Sequence, residues 1–205
     1  MITGKPFGKF LTERIFEPLG MRDTGFWVPT QKIDRLASLY DVGPGGKLAR
    51  AAHHEDRAAS PPFESGGGGM VSTVGDYARF CQMLLSTASG ARQSAGRLSD
   101  DEKILSPQTV RLMATSQLSP AAQAHFDMGN KIGYGYGLGV RVMINPSSGG
   151  RLGSLGEFGW DGAASTWMCV DPAEDLIAVL MLQLRPYASY GIADRFHRMM
   201  YAALG

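Results

Sequence analysis

Apolar residues recur at helical spacing in the first part of the chain. Between positions 7 and 15 they stand three or four residues apart, which predicts an amphipathic helix that ends at Pro18 and Gly20. A second helix is predicted after Thr73, which has the spacing of a capping box with Asp76. The apolar stripe of this second helix comprises Tyr77, Phe80, Cys81, Leu84 and Leu85.

The pattern is weaker between and after these two helices. Residues 29–69 show little periodicity and many Gly, Pro and Ala, so we expect long ordered loops that could wall a cleft. Residues 87–103 predict an exposed polar loop. A third helix is predicted from Ser106-Pro107, because a capping hydroxyl precedes a proline suited to the first turn. We expect Val110 and Met113 to face inward there.

The last third of the chain has the pattern of a sheet. Small and apolar residues predict strands over 136–144, 165–170 and 176–184. The segment 171–175 predicts a tight turn, and therefore a hairpin between the last two strands. The third strand is apolar throughout, so we expect it to be central and covered on both faces. A closing helix is predicted with an apolar stripe of Ile192, Phe196, Met199, Met200 and Ala203.

Helices followed by antiparallel strands and a terminal helix predict an α+β fold. The length of 205 residues suits one domain or one large fragment of a domain. We expect a single domain over 1–205, with mainly helices and loops over 1–133. Antiparallel strands and the terminal helix are expected over 134–205.

The composition excludes several classes of function. The 20 basic and 19 acidic residues nearly balance and form no basic block, so we expect neither a nucleic-acid nor an anionic membrane partner. No apolar run approaches the roughly 20 residues that a membrane helix needs. The N-terminus lacks the apolar core of a signal peptide, which predicts a cytoplasmic protein if Met1 is the true start. Cys81 and Cys169 lie in apolar stretches and predict buried thiols, although one disulfide is an alternative.

The common catalytic patterns are not found in the sequence. There is no Gly-x-Ser-x-Gly elbow, and the glycines at 66–69 lack the Lys and Ser/Thr of a phosphate loop. His53 and His54 precede Glu55 without a second His at helical spacing, so no metal site and no cofactor are predicted. We interpret these histidines, together with His125 and His197, as solvated surface residues.

Several segments together resemble the serine β-lactamase-related family, which includes class C β-lactamases, penicillin-binding proteins, D-amino-acid peptidases and related esterases. They stand in the family's order and cover nearly the whole chain. The segments are Phe10 to Phe26 with Glu17-Pro18-Leu19-Gly20-Met21, Gly67 to Phe80 with Ser72-Thr73 and Asp76, Ile104 to Pro107, Tyr136 to Gly139, and Gly156 to Ala164. The resemblance implies a β-lactamase/transpeptidase-like fold.

The resemblance also implies a serine that is acylated, with Lys and Tyr passing its proton, and a third motif that lines the cleft. No Ser in this sequence has Lys three positions on, since Ser99 precedes Lys103 by four, and no Tyr has Asn two positions on. The family places these two motifs before the helix that ends at Pro18. We therefore expect the domain to be incomplete at its N-terminus, with the nucleophile Ser, Lys and Tyr absent from this chain.

The third motif corresponds to Trp160-Asp161-Gly162, where the family often has Lys-Thr-Gly. The resemblance implies that these three residues bind substrate and that the N–H of Ala163 helps to bind an oxyanion. A lysine at position 160 would attract a substrate carboxylate, whereas Trp160 cannot and Asp161 would repel one. We therefore expect a small-molecule ester or amide substrate and an esterase-like enzyme rather than a true β-lactamase.

Plainer interpretations remain open for these residues. Trp160 could be a strand residue packed on the sheet, and Tyr134 and Tyr136 more readily pack in the core or at an edge than line the cleft. Glu157 and Asp161 could form an acid–base pair, but solvated loop charges are the better interpretation. The chain could also be a catalytically inactive fragment or binding module, and exposed strand edges predict self-association.

Overall fold

A computed structural model describes residues 3–51, 57–89, 104–127, 131–149 and 152–205. Five antiparallel strands form its main sheet, in the spatial order β3, β4, β5, β6 and β7. They are β3 (Tyr134–Tyr136), β4 (Arg141–Met143), β5 (Phe158–Asp161), β6 (Trp167–Asp171) and β7 (Leu176–Leu180). With the helices described next, this sheet confirms the predicted α+β architecture.

Six α-helices occur within the described residues. They are α1 (Phe7–Leu11), α2 (Val74–Ala88), α3 (Pro107–Met113), α4 (Pro120–Asp127), α5 (Pro146–Gly149) and α6 (Ile192–Ala202). The larger apolar core joins α1, α2 and α3 to one face of the sheet through residues such as Leu84, Val110 and Phe158. A smaller cluster joins α6 to the other face through Trp167 and Cys169. None of the helices in the described ranges is long and apolar enough to cross a membrane.

Local capping signals locate the helices well. The hydroxyls of Thr73 and Ser106 accept hydrogen bonds from the N–H groups of Asp76 and Thr109, as expected of helix caps. The capping box is only half formed, however. The Asp76 carboxylate accepts instead from the Asp23 N–H at 2.7 Å, so it ties the second helix to a distant turn.

The first helix is confirmed, with a change of pitch. After Leu11 the chain continues as a π-helix over Thr12–Phe16, in which the Glu17 N–H donates to the Thr12 carbonyl at 2.9 Å. Gly20 then adopts φ +63°, a conformation that ends the helix and that glycine adopts readily.

The predicted loop over 29–69 is partly wrong. A 3₁₀ helix spans Thr30–Arg35, and the strands β1 (Tyr40–Val42) and β2 (Leu48–Arg50) form a hairpin. Strand β8 (Leu184–Arg185) pairs parallel with β1 and completes a small second sheet. The strands are too short for a visible alternation, and their pairing partner lies far along the chain. Residues 52–56, with His53 and His54, and 90–103 of the predicted polar loop lie outside the described residues.

The single strand predicted over 136–144 is wrong. Its residues form two strands, β3 and β4, joined by a turn in which the Gly137 N–H donates to the Val140 carbonyl at 2.8 Å. Gly139 has φ +82° within that turn. The glycines that made the pattern alternate therefore reverse the chain instead of extending it.

The strand expected at the centre of the sheet lies at its edge. β7 pairs with β6 on one side, as the predicted hairpin requires, and with no other strand in the described part of the chain. Both of its faces are nevertheless covered, as predicted: Ile177 and Val179 pack against the larger core, and Ala178 and Leu180 pack in the cluster with α6. The run also ends at Leu180, and Leu184 belongs to the second sheet.

The apolar stripe predicted for the closing helix is confirmed in part: Phe196 and Met200 pack against the smaller cluster, whereas Ala203 is exposed. Ala193 and His197 are the buried residues of α6, whereas Met199 is 72% exposed. Trp167 meets Phe196 and His197 edge-on, with ring centroids 5.9 and 5.6 Å away. His197 therefore lies on the buried face of the helix beside Phe196, which the apolar pattern did not predict.

Candidate active site

A tight turn follows β5 and is held by hydrogen bonds at both ends. The Ser165 N–H donates to the Gly162 carbonyl at 2.9 Å, and the Gly162 N–H donates to the Thr166 carbonyl at 2.8 Å. Ser165 is buried with φ +65°, and its hydroxyl donates to the Leu184 carbonyl at 2.8 Å. Ala163 and the residue after it are therefore presented at the tip of a fixed turn.

The backbone amide of Ala163 is open to a ligand. The residue is exposed, and no other residue in the described ranges accepts a hydrogen bond from its N–H. An N–H fixed in direction and free of a protein partner can donate to a negatively charged oxygen placed against the turn. This geometry is compatible with the oxyanion role predicted for Ala163, which stays a prediction.

Trp160, at the end of β5, is not packed away inside the sheet. Its side chain is 38% exposed. The Tyr136 ring meets it edge-on with centroids 5.2 Å apart, and the Lys131 ammonium lies 5.5 Å from the indole centroid. The indole therefore presents an apolar surface two residues before the turn that carries the free amide.

Asp161 is not a solvated loop charge, so that interpretation is wrong. Its side chain is 9% exposed, and its carboxylate accepts from Lys131 at 2.6 and 2.8 Å and from Arg141 at 3.0 Å. Two cations offset its single negative charge. The repulsion of a substrate carboxylate that the sequence predicted for Asp161 is correspondingly weakened, while Trp160 still offers no cation of its own.

Glu157 is fully buried, which also contradicts its interpretation as a solvated loop charge. Its carboxylate lies 3.1 Å from His197 Nε2 and accepts from the Tyr134 hydroxyl at 3.4 Å, and the Tyr201 hydroxyl oxygen also lies 3.4 Å from it. His197 is itself only 3% exposed, so the prediction of a surface histidine is wrong as well. A buried carboxylate needs such partners to offset its lost hydration.

Arg141 connects the two buried carboxylates. Its guanidinium lies 4.0 Å from Glu157 and 3.0 Å from Asp161, and it donates to the Met168 carbonyl at 3.2 Å. It also stacks between the rings of Tyr134 and Trp167, 5.4 and 5.3 Å from their centroids. Tyr134 is 2% exposed, so it packs inside the protein and does not line the cleft.

Burial changes the protonation of the tyrosines around this network. Desolvation and the charge of Glu157 raise the pKa of Tyr201 far above its usual value, and its hydroxyl donates to Asp171 at 2.6 Å. Desolvation and the charge of Asp161 raise the pKa of Tyr187 in the same direction. Both phenols therefore stay protonated and act as donors rather than as bases.

Sequence reasoning identified the segment Trp160-Asp161-Gly162 and missed the charged side chains around it. Lys131 and Arg141 were not among the predicted site residues, and the signal for Arg141 was a lone charge inside an apolar strand pattern. No group of three potential metal ligands occurs among the described residues. A cavity of about 380 Å³ lies elsewhere, between α1, the segment 22–29 and the 3₁₀ helix, and none of the predicted site residues lines it.

Comparison with known proteins identifies the family of this α+β domain. The family model described as Beta-lactamase matches residues 1–202, and the chain belongs to this family. Protein Rv1367c of Mycobacterium tuberculosis is 34% identical over all of this chain and 54% of its own length. A lovastatin esterase of Penicillium rubens is 27% identical over 66% of this chain and 36% of its own length.

Solved structures show the same fold. Simvastatin synthase (LovD) from Aspergillus terreus has a TM-score of 0.77 at 23% identity, over 98% of this chain and 51% of that chain. A penicillin binding protein from Bacillus halodurans has a TM-score of 0.62 at 14% identity, over 97% of this chain and 51% of that chain. The predicted β-lactamase/transpeptidase-like fold is confirmed. The chain spans about half the length of the first curated relatives that it matches.

Proposed function

We propose that this chain forms the oxyanion-donor wall of a serine acyl hydrolase that cleaves an ester or amide through an acyl-enzyme. The observation that carries the proposal is the exposed Ala163 amide, fixed in a turn beside the exposed indole of Trp160. Membership of the beta-lactamase family supports a hydrolase. The names of its relatives, a lovastatin esterase and a putative D-alanyl-D-alanine carboxypeptidase of Escherichia coli, are also those of acyl-bond enzymes.

The proposed chemistry has two steps. A serine oxygen adds to the substrate carbonyl, and the resulting oxyanion accepts a hydrogen bond from the Ala163 N–H while the alcohol or amine leaves with a proton. Water then adds to the acyl-enzyme and releases the acid. The 205 residues contain no Ser-x-x-Lys, so we propose that the nucleophile belongs to residues outside this sequence.

The indole of Trp160 favours an esterase over a true β-lactamase. A lysine in the position of Trp160 would offer a free cation to a substrate carboxylate, and the indole does not. Lys131, whose ammonium lies 5.5 Å from the indole centroid, and Arg141 already share the Asp161 carboxylate. We therefore propose a substrate that needs no carboxylate for binding.

The absence of Ser-x-x-Lys favours a second candidate function, a binding module without catalysis. Loss of a catalytic serine typically leaves only the small residual rate that the oxyanion donors and binding provide. Both candidates share the cleft wall, and they differ in whether a covalent acyl-enzyme forms.

A fluorophosphonate probe separates the two candidates. The probe is incubated with the 205-residue protein and with a longer product of the same gene that carries Ser-x-x-Lys, and each is analysed by intact mass spectrometry. We expect one adduct on the longer product and none on the 205 residues. An unmodified longer product contradicts the hydrolase, whereas hydrolysis by the 205 residues that one Ser substitution abolishes contradicts the binding module.

The role of the Ala163 amide is tested with two substitutions in the longer product. Ala163→Pro removes the N–H at the second residue of the turn, a position that proline favours, and Ala163→Gly retains it. We expect kcat to fall about 100- to 1,000-fold in the proline variant, as when one oxyanion donor is lost, and to change little in the glycine variant. Equal rates in both variants would exclude the amide from catalysis.

We also propose that the isolated 205-residue chain self-associates through β7. This strand is apolar, and on its outer side no strand of the described ranges pairs with it. Open edges of this kind pair with other chains. Size-exclusion chromatography with light scattering should show dimers or larger species that Leu176→Lys reduces, and a monodisperse wild-type monomer would disprove the proposal.

A further inference from the structure

Three aromatic side chains from different elements meet beside the candidate active site. Phe126 of α4 lies 5.8 Å from Tyr136 of β3, and Tyr136 lies 5.2 Å from Trp160 of β5, measured between ring centroids. We call these three residues the aromatic row. The sequence separates them by up to 34 positions, so only the fold brings them together.

The aromatic row is open enough to take a ligand. Phe126 and Tyr136 are half-buried and Trp160 is 38% exposed. Successive rings are inclined by 52° and 72°, so they meet edge to face rather than in a closed stack. Tilted contacts of this kind fix the rings while leaving ring surface for a further flat group.

The charges around the aromatic row balance. Lys131 and Arg141 carry two positive charges, and Asp161 and Glu157 carry two negative ones within the same network. These four described side chains therefore leave no net charge among them with which to hold a substrate anion. The Lys131 ammonium also lies 5.5 Å from the indole centroid, so a second cation approaching that ring would be repelled.

We propose that the aromatic row binds a flat, uncharged group of the substrate, an aryl or fused-ring part of the ester or amide. This inference rests on the proposed function, which places the reacting carbonyl at the Ala163 amide, three residues beyond Trp160. Aliphatic groups of the same size bury similar area but lack the ring contacts, which are typically worth a factor of about two to ten in affinity.

Binding to the 205-residue protein tests this directly, by isothermal titration or saturation-transfer NMR. The probes are N-(2-naphthyl)acetamide, N-cyclohexylacetamide, 2-naphthoate and a naphthyl trimethylammonium salt. We expect the naphthyl amide to bind at least about fivefold more tightly than the other three. Comparable binding of the cyclohexyl amide, or preference for either charged probe, overturns the proposal.

Substitutions locate the site. Trp160→Leu should weaken the naphthyl amide at least about fivefold, whereas Trp27→Leu, at an indole 46% exposed on the segment 22–29, should not. Tyr136→Leu should weaken binding and Tyr136→Phe should preserve it, which separates the ring contact from a general loss of structure. Unchanged affinity in folded Trp160→Leu overturns the proposal. This binding measurement needs no acyl-enzyme. The aromatic-row proposal can therefore be refuted while the fluorophosphonate probe still forms an adduct, and it can be supported while the probe forms none.

Discussion

Arg141 is the cation on which the buried network depends, and Arg141→Met tests its importance. The substitution removes the guanidinium but keeps an unbranched side chain of similar reach between Tyr134 and Trp167. It deprives Asp161 of one cation and leaves the fully buried Glu157 with His197 and tyrosine hydroxyls as its partners. It also leaves the carbonyl of Met168 without its side-chain donor.

The expected loss of stability follows from burial. Arg141 is 3% exposed and Glu157 is 0% exposed, measured on their side chains, so neither regains hydration when its partner is lost. Removing one member of a buried ion pair typically costs about 3–5 kcal/mol of the free energy of unfolding. For a protein of this size that corresponds to a fall in Tm of roughly 6–20 °C.

Arg185→Met is the matched control. Arg185 donates to both carboxylate oxygens of Asp41, at 2.9 and 3.1 Å, in a pair whose side chains are each 44% exposed. The same chemical change at an exposed pair should cost about 0–1 kcal/mol. Urea unfolding followed by circular dichroism gives both free energies. If the two variants lie within about 1 kcal/mol of each other, burial does not set the strength of the network and the reasoning is refuted.

Three further predictions use other parts of the fold. Burial raises the pKa of Cys81 to about 12 and that of Cys169 further, so a thiol reagent at mildly alkaline pH should label neither until the protein is unfolded. Hydrogen bonds from two cations lower the pKa of Asp23 below its ordinary 3.8. The stabilisation by the Asp23 carboxylate is therefore complete above that pH, where Asp23→Asn should lower the free energy of unfolding by its full amount. The difference from wild type should vanish in unfolding experiments as the pH falls through the lowered value. In Gly159→Ala a Cβ would lie 2.1 Å from a carbonyl oxygen of β6, which should cost at least about 1–3 kcal/mol in urea unfolding, whereas Gly67→Ala meets no close neighbour and should be nearly neutral.

The parts of the fold that the sequence predicted are those with local signals. Thr73 and Ser106 cap their helices through N–H groups three residues away, and the turn at 171–175 reverses the chain within a few residues. These interactions are determined by neighbours along the chain, so a pattern of residues is enough to locate them. The family motifs singled out Trp160, although the residue pattern predicted no strand over β5.

The buried charges could not be predicted in this way. Glu157 and His197 are 40 positions apart, and their contact exists only because α6 packs across the sheet. A single charged residue in a sequence is usually solvated, so burial of Glu157 and Asp161 contradicted the ordinary expectation. The edge position of β7 was missed for a related reason. An apolar pattern shows that both faces of a strand are covered, but it does not show whether the strand pairs on each side.

Buried ion pairs lie behind the strand that leads into the turn at 162–165, and we infer that they help to hold this turn in place. Glu157, immediately before β5, and Asp161, at its end, lie on the opposite face from Phe158, which is the face covered by α6. Arg141 contacts both carboxylates there, and His197 contacts Glu157. Ion pairs on the α6 side therefore hold the end of the strand, and the hydrogen bond from the Ser165 hydroxyl to the Leu184 carbonyl holds the turn. A backbone donor held in this way needs no reorganisation when negative charge develops beside it, and this is the condition under which a single N–H stabilises an oxyanion most strongly. Arg141→Met in the longer product should therefore lower kcat more than it raises KM. A change confined to KM would show that the network serves binding or folding alone.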